Sequence, residues 1–340
     1  MRRICINRKN LLYNLNCIKQ KTNKKICAVV KANAYGHGLE IVSNLLKNKV
    51  DYFAVANIFE ALKVREIDKF TKIIILGVCE DVSLAINNNI SITIFDLKSL
   101  ENAVKIAEKL KKIVNIHIKI DTGMNRLGFK DLKDFKIAIK LINNKYINFE
   151  GIYTHFSFPK NKNLTIKQYN NFCKYLKLIP SLYSPLIHLG GSSILEYNFN
   201  FDMVRVGKYL YGYGNNIYKK ALRVESKIIS VKKLNQGEFV SYDNSYLCQD
   251  DTFIAVVPLG YADGVPENLN GMSVKIKSKH YQIIGRVCMD MFMIKCDESV
   301  EVGDKVVILE NADIWAKFEE CSFDQILTNF NSFRGKRIVE

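Results

Sequence analysis

Along the first two thirds of the chain, short apolar runs alternate with longer stretches in which apolar residues recur every three or four positions. The runs are Ile26–Val30, Tyr52–Val55, Ile73–Leu76, Ile92–Phe95, Val114–Ile118, Phe149–Tyr153, Leu186–His188 and Met203–Val206. They are brief and bounded by Gly, Asp, Asn or Lys, which predicts strands rather than helices. Between them Leu39, Val42, Leu45 and Leu46 share one helical face, as do Leu97, Leu100, Val104 and Ala107. Ile137, Leu141 and Ile142 repeat the spacing after Asp134. Eight such strand–helix units predict an α/β fold closed into a (β/α)8 TIM-type barrel. A doubly wound open sheet fits the alternation too, but the count of eight favours closure.

After about Gly214 the texture changes. Leu222–Leu234, Phe253–Pro258, Ser273–Lys277, Gln282–Val287, Met291–Ile294 and Lys305–Leu309 look like strands joined by short turns, and helical periodicity largely disappears. The expected division is a barrel over residues 1–219 and a β-rich C-terminal domain over 220–340. No low-complexity linker separates them.

Composition narrows the classes. The 340 residues are 48% hydrophobic, enough for a sizeable core. No apolar run approaches the ~18 residues of a transmembrane helix, and polar residues interrupt the first segment where a signal peptide would be apolar. A cytoplasmic protein with no membrane partner is expected. The net charge of +16 raises the question of nucleic acid. The Lys and Arg residues are scattered, however, and accompany an abundance of Asn and Ile that AT-rich codons explain, so no nucleic-acid partner is expected. Nine cysteines in irregular spacing, with no C-x-x-C pair, read as reduced thiols. Five scattered histidines offer no metal-ligand spacing, so no metal is expected.

In a barrel of this kind chemistry gathers at the C-terminal ends of the strands. The first run leads into Lys31, the fifth into Lys119, and the sixth is followed by His155. The seventh ends at His188, with Gly190-Gly191-Ser192 close behind, and the eighth carries Arg205 and leads into Gly207. Cations are costly to bury unpaired, so this set implies an anion. Loops after the seventh and eighth strands are the usual phosphate cradle, where glycines admit backbone N–H groups and Ser192 adds a hydroxyl. A lysine at a rigid strand end can condense with an aldehyde cofactor. Pyridoxal 5'-phosphate carries both an aldehyde and a phosphate, and Arg205 is the candidate partner for its ring nitrogen. His188 is read as structural.

The block Val29-Val30-Lys31-Ala32-Asn33-Ala34-Tyr35-Gly36-His37-Gly38 resembles the cofactor-lysine signature of bacterial alanine racemases. Lys119–Gly128, Tyr153–Phe156, Met203–Gly207, Val240-Ser241-Tyr242, Gly260–Gly264 and Gly285–Asp290 resemble further blocks of that family, in family order. The resemblance implies a barrel plus a β-domain, a pyridoxal-phosphate-dependent isomerase, and a homodimer whose active sites are shared between subunits. It implies a cytoplasmic supply of D-alanine for the cell wall.

The same resemblance implies roles. Lys31 holds the cofactor and is the base toward the D-isomer, and Tyr242 is the base toward the L-isomer. Arg126 contacts the substrate carboxylate side and the cofactor's phenolic oxygen, and Lys119 matches a position that is often carbamylated. Arg205 faces the pyridine nitrogen and His155 bonds to Arg205. Tyr35, Ser192, Gly207 and Tyr261 surround the phosphate and the site entrance, while Met289 and Asp290 meet the substrate. Racemisation needs bases on opposite faces of one planar carbanion. Tyrosine is a weak base near neutral pH, and cationic neighbours such as His155 and Arg205 would lower its pKa. The chain departs from the family at Leu189-Gly190-Gly191, at Lys208 and at its abbreviated C-terminus, where Phe333 stands where a tyrosine is usual. A racemase of serine or another small amino acid, and a non-catalytic pyridoxal-phosphate carrier, are the alternatives. The second domain with Tyr242 argues against the carrier. A decarboxylase of basic amino acids lacks support, because its lysine block differs.

Overall fold

The computed structural model describes residues 2–340. It contains two compact units. The larger comprises Asn14–Lys31 and Leu39–Tyr218. The other comprises the N-terminal segment to Tyr13, Ala32–Gly38 and Lys219–Glu340. Among the described residues no helix is long and apolar enough to cross a membrane.

β1 (Arg3–Ile6) lies outside the barrel. β2 (Lys25–Val29), β3 (Tyr52–Val55), β4 (Lys72–Ile75), β5 (Ser91–Ile94), β6 (Val114–Lys119), β7 (Ile147–Tyr153), β8 (Leu186–Leu189) and β9 (Met203–Val206) close on themselves. Every neighbouring pair is parallel, and β9 returns to β2 through Cys27↔Arg205 and Ala28↔Val206. These are the eight strands that the apolar runs predicted. Strands covered on both faces read as unbroken hydrophobic runs. Ile73, Ile74 and Ile75 in β4 are accordingly all fully buried. The helices start where short polar side chains cap them. Asn57 accepts from the Glu60 N–H at 2.9 Å, Asp96 from Ser99 at 2.7 Å, and Asn161 from Leu164 at 3.0 Å. Such caps satisfy N–H groups that the helix leaves without partners.

The other unit is built on strands β10 (Leu222–Lys227), β11 (Ser230–Leu234), β12 (Phe239–Val240), β13 (Tyr246–Leu247), β14 (Thr252–Val257), β15 (Ser273–Ile276), β16 (Lys279–Ile284), β17 (Phe292–Cys296), β18 (Lys305–Leu309) and β19 (Lys336–Val339). Nine strands form one sheet in the order β11-β14-β17-β16-β15-β18-β10-β1-β19. β12 and β13 make a separate ribbon. The run Leu222–Leu234 is two strands rather than one, because the backbone changes partners at Ile228 and Ile229. The Ile228 N–H bonds to the Asp304 carbonyl, whereas Ile229 bonds to Val256. β10 therefore follows β18 and β11 follows β14. Two short helices, Ala312–Phe318 and Phe323–Asn329, interrupt the β texture near the end.

Candidate active site

β2 delivers Lys31 to the barrel rim, with the preceding Val30 N–H bonded to Ala54 at 2.9 Å. The chain then makes an unusual turn. Ala32, Asn33, Ala34 and Tyr35 all lie at φ between 52° and 54°, a left-handed turn. Left-handed backbone costs about 1–2 kcal/mol per ordinary residue, and strain of this kind clusters at functional sites. Hydrogen bonds from the N–H groups of Gly36, His37 and Gly38 back to Ala32, Ala34 and Asn33 close it. Gly36 takes φ +78°, and a Cβ there would lie 2.2 Å from the Leu327 carbonyl oxygen. Burial pushes the Tyr35 phenol above its ordinary range, with Asp324 adding to the effect.

Around Lys31 the barrel gathers three more cations. Lys119 ends β6, Arg205 lies in β9, and Arg126 sits in the loop after β6. That loop is shaped by Asp121, whose carboxylate accepts from the Gly123 and Asn125 N–H groups at 2.9 and 3.0 Å. Burial, then the charges of Arg126 and Arg205, push the Lys119 ammonium down to about 8. The Tyr153 ring carries the Arg205 guanidinium 4.6 Å from its centroid and the Lys119 amine at 5.8 Å. Burial, followed by Arg205, Arg126, Lys119 and Lys31, lowers His155 to about 3. His155 is therefore a neutral imidazole near pH 7, not one of the cations expected to lower the tyrosine's pKa.

Arg205 is held differently from expectation. It donates to Nδ1 of His188 at 2.6 Å, to the His188 carbonyl at 3.3 Å and to the Thr154 carbonyl at 2.8 Å, and no hydrogen bond joins it to His155. The His155 ring and Arg205 instead flank Gly190. A Cβ on Gly190 would fall 2.4 Å from His155 Nδ1 and 2.8 Å from an Arg205 nitrogen. The loop after β8 is tied to the loop after β9, because Ser192 Oγ accepts from the Gly207 and Tyr209 N–H groups at 3.2 and 3.4 Å. Ser192 keeps its own hydroxyl proton to donate. Within this unit the set fits a phosphate-bearing aldehyde. An amine stands at a strand end, and the loops after β8 and β9 are linked through a serine. Arg205 holds a guanidinium that cannot lose its proton.

In the other unit, Tyr242 follows Ser241, whose φ is +71°, and is 67% exposed in the isolated chain. Ser241 Oγ donates to the Arg286 carbonyl at 2.7 Å, and Arg286 pairs with Asp243 at 2.7 Å. Tyr261 and Ala262 direct their N–H groups to the carbonyls of Cys288 and Met289, both at 3.1 Å. The loops carrying Tyr242, Tyr261 and Met289-Asp290 are thus one hydrogen-bonded group. Arg334, which no motif singled out, anchors it. Its guanidinium binds the buried Asp263 carboxylate twice at 3.0 Å and Asp290 at 2.7 Å, and Arg2 reaches Asp263 at 3.5 Å.

The sequence reading of His188 as structural is incomplete and does not include His117 or Glu150, yet the three continue the line of contacts behind Arg205. A signal existed. His117 and Lys119 stand two apart in β6 and so share one face of the strand. Compared with known proteins, residues 6–215 match the family model "Alanine racemase, N-terminal domain" and residues 221–339 match "Alanine racemase, C-terminal domain". An alanine racemase of Staphylococcus saprophyticus is 36% identical, over 86% of this chain and 81% of its own length. One from Borreliella burgdorferi is 32% identical over 99% of this chain and 97% of its own. The solved alanine racemase of Clostridium difficile 630 superposes with a TM-score of 0.94 at 32% identity, over 100% of this chain and 95% of that one.

Proposed function

The chain belongs to the alanine racemase family, and from that premise we propose that it interconverts L-alanine and D-alanine with pyridoxal 5'-phosphate held at Lys31. The observation that carries the proposal is the placement of Lys31. It stands at the end of a barrel strand, before a strained turn, and with Lys119, Arg126 and Arg205 it acts on the buried His155. The cofactor, when bound, supplies the electron sink that makes the α-proton of the amino acid acidic.

The protein's own groups do the rest. The Lys31 amine takes the α-proton from the D-isomer while the Tyr242 phenol delivers a proton to the opposite face, giving the L-isomer; in the other direction the Tyr242 phenolic oxygen takes the proton from the L-isomer and the Lys31 ammonium delivers one. Its exposure in the isolated chain suits a residue that completes the site of a second copy in a homodimer. Arg126 holds the substrate carboxylate, and a carbamate on Lys119 would turn that amine into an anion facing Arg126. Arg205 would donate to the ring nitrogen of the bound cofactor and, since a guanidinium keeps its protons, would leave that nitrogen unprotonated. His155 lies beside Arg205 as a neutral group. Tyr35, Ser192, Gly207 and Tyr261 would receive the phosphate and line the entrance, and Met289 and Asp290 would border the substrate. In this division residues 1–219 hold the cofactor and residues 220–340 supply the second base, with the reaction feeding wall synthesis in the cytoplasm.

The test is chiral chromatography of L-alanine incubated with the protein, with and without added cofactor. Racemisation should need the cofactor and vanish in Lys31→Ala. Tyr242→Phe should lose conversion from the L-isomer by at least a hundredfold. A Tyr242→Phe protein with full activity would sink the two-base assignment and revive the carrier reading. A panel including serine separates substrate preferences.

A further inference from the structure

Arg205 begins a line of hydrogen bonds that runs down the barrel lumen. His188 Nε2 meets His117 Nδ1 at 2.9 Å, and His117 Nε2 meets a Glu150 carboxylate oxygen at 3.1 Å. Glu150 also receives Lys72 and the Ser91 hydroxyl. It lines a cleft of about 900 Å³ at the N-terminal ends of the strands, together with Lys25, Asp51, Lys72, Leu186 and Asp202. Both imidazoles are completely buried.

The two ends of this line are chemically one-way. A guanidinium only donates and a carboxylate only accepts. Arg205 donates to Nδ1 of His188, so that nitrogen is a lone pair and the proton of the neutral ring lies on Nε2. His188 Nε2–H then donates to His117 Nδ1, which places the His117 proton on Nε2, facing Glu150. Protonating either ring, or reversing one tautomer, sets two N–H groups against each other at some junction. Burial lowers the pKa of both histidines, which keeps them neutral. Burial would raise the Glu150 carboxyl, yet His117, Lys72 and Ser91 hold it well below the usual carboxylate range.

The rings cannot turn to escape. Tyr153 stacks on His188 with centroids 4.6 Å apart, and the edge of Tyr52 meets His117 at 6.0 Å. The strand leaves room for the second ring, since a Cβ at Gly151 would lie 2.2 Å from His117 Nδ1. A bulge in β7 beside Ile116 and His117 accompanies this crowding. A hydrophobic side chain at 117 or 188 would fill such a lumen more simply, so the polar line has a purpose beyond packing.

We propose that Glu150 and His117 are positioning residues for the reaction: they fix one direction of hydrogen bonding along the lumen and thereby the placement of the Arg205 guanidinium. The carboxylate balances the buried guanidinium from a distance, through two neutral rings. This rests on the reading above that Arg205 faces the cofactor ring, and on nothing else assigned to that site.

The first experiment needs no cofactor. Nitrogen-15 NMR of the histidine rings in the cofactor-free protein at pH 7 should show His117 and His188 each as the Nε2–H form, assigned with His117→Gln and His188→Gln. A charged ring or an Nδ1–H tautomer at either position overturns the proposal. The second compares Glu150→Leu, which removes the acceptor, with Glu150→Gln, which keeps an oxygen there. In the loaded enzyme Glu150→Leu should lower kcat at least tenfold with KM within threefold, and should shift the cofactor's visible absorbance. Glu150→Gln should recover most of that loss. A Glu150→Leu protein that melts earlier but keeps its kcat and absorbance overturns the proposal and leaves Glu150 as a structural ion-pair partner of Lys72. If Glu150→Leu does not fold, the tautomer measurement decides. A wild-type protein with the expected tautomers but no racemisation refutes the functional reading and leaves the hydrogen-bonded line standing.

Discussion

Replacing Gly36 with alanine should destabilise the protein for two separable reasons. The first is conformational. Gly36 holds φ +78°, where an ordinary residue loses about 1–2 kcal/mol relative to glycine. The second is steric. The new Cβ would stand 2.2 Å from the Leu327 carbonyl oxygen, where ordinary contact begins at 3.4 Å. That oxygen belongs to the backbone of the helix Phe323–Asn329 and cannot swing away as a side chain would. Overpacking of this kind costs typically 1–3 kcal/mol, so the expected total is about 2–5 kcal/mol. For a unit of this size that corresponds to roughly 5–20 °C in melting temperature. Gly237 supplies the control, because its φ is +88° and a Cβ there meets nothing within 4 Å. Gly237→Ala should show the conformational part alone, about 1–2 kcal/mol. Thermal denaturation of the three cofactor-free proteins by circular dichroism measures the difference. A Gly36→Ala protein no less stable than Gly237→Ala would refute the steric argument. The same turn follows Lys31, so Gly36→Ala should also slow racemisation in the fraction that stays folded.

Three further outcomes are expected. With its pKa lowered to about 8, Lys119 has a large neutral fraction in mild alkali, and the neutral amine adds carbon dioxide with loss of one proton to give a carbamate. Carbon-13 bicarbonate at pH 8 should give a carbamate resonance that Lys119→Ala lacks, and no signal in the wild type rules this out. His37, His117 and His188 are fully buried with lowered pKa values, His37 at about 4, so below about pH 6.5 the unfolded chain takes up protons that the folded one refuses. Their stabilisation is greatest well above that pH and is lost as pH falls, His37 alone contributing about 1 kcal/mol between pH 6.5 and 5.5 and the other two adding in the same direction; a urea midpoint that does not drop over this interval would contradict it. Asp263→Asn should cost about 2 kcal/mol, below the full value for a buried pair because Arg2 and Arg334 are partly solvated. It should loosen the loop at Met289-Asp290 as well, read as faster amide exchange there, and unchanged exchange would sink that link.

The barrel was legible because its signal is local. Each of the eight strands is a short apolar run, and most are followed by a helix with its own spacing, though a short 3-10 turn alone follows β8 and no helix follows β9; no long-range knowledge is needed to see them. Lys31, Lys119 and Arg205 were legible for the same reason, since each stands at or near the end of a run, whereas Arg126 lies in a loop and was pointed to only by the resemblance. What was hidden depends on distant partners. β1 carries only four residues and looks like the start of a helical stretch, yet it pairs with Leu222–Glu225 and with Lys336–Val339. The break at Ile228 has no glycine or proline to mark it and exists because the sheet changes partners there. His188 was visible but unreadable, because a buried histidine gives no sign in sequence of whether it faces an arginine, and Arg334 was hidden in a segment that only loosely echoes the family. The expected bond between His155 and Arg205 is not made, since the guanidinium is held instead by His188 and the Thr154 carbonyl.

The placement of β1 governs how the chain can be made. Apart from the closing pair β2 and β9, barrel strands meet their neighbours within a few dozen residues and can assemble as they emerge. β1 is synthesised about 330 residues before its parallel neighbour, which spans Lys336–Val339. At ordinary translation rates of about 5–20 residues per second, its edge waits roughly 15–70 seconds for that neighbour. During that interval an apolar strand with open backbone groups is available to any other nascent chain. Shielding of that strand should therefore bear on the enzyme's yield in a crowded cell, and a chaperone that holds β1 should raise it more than one acting on the barrel.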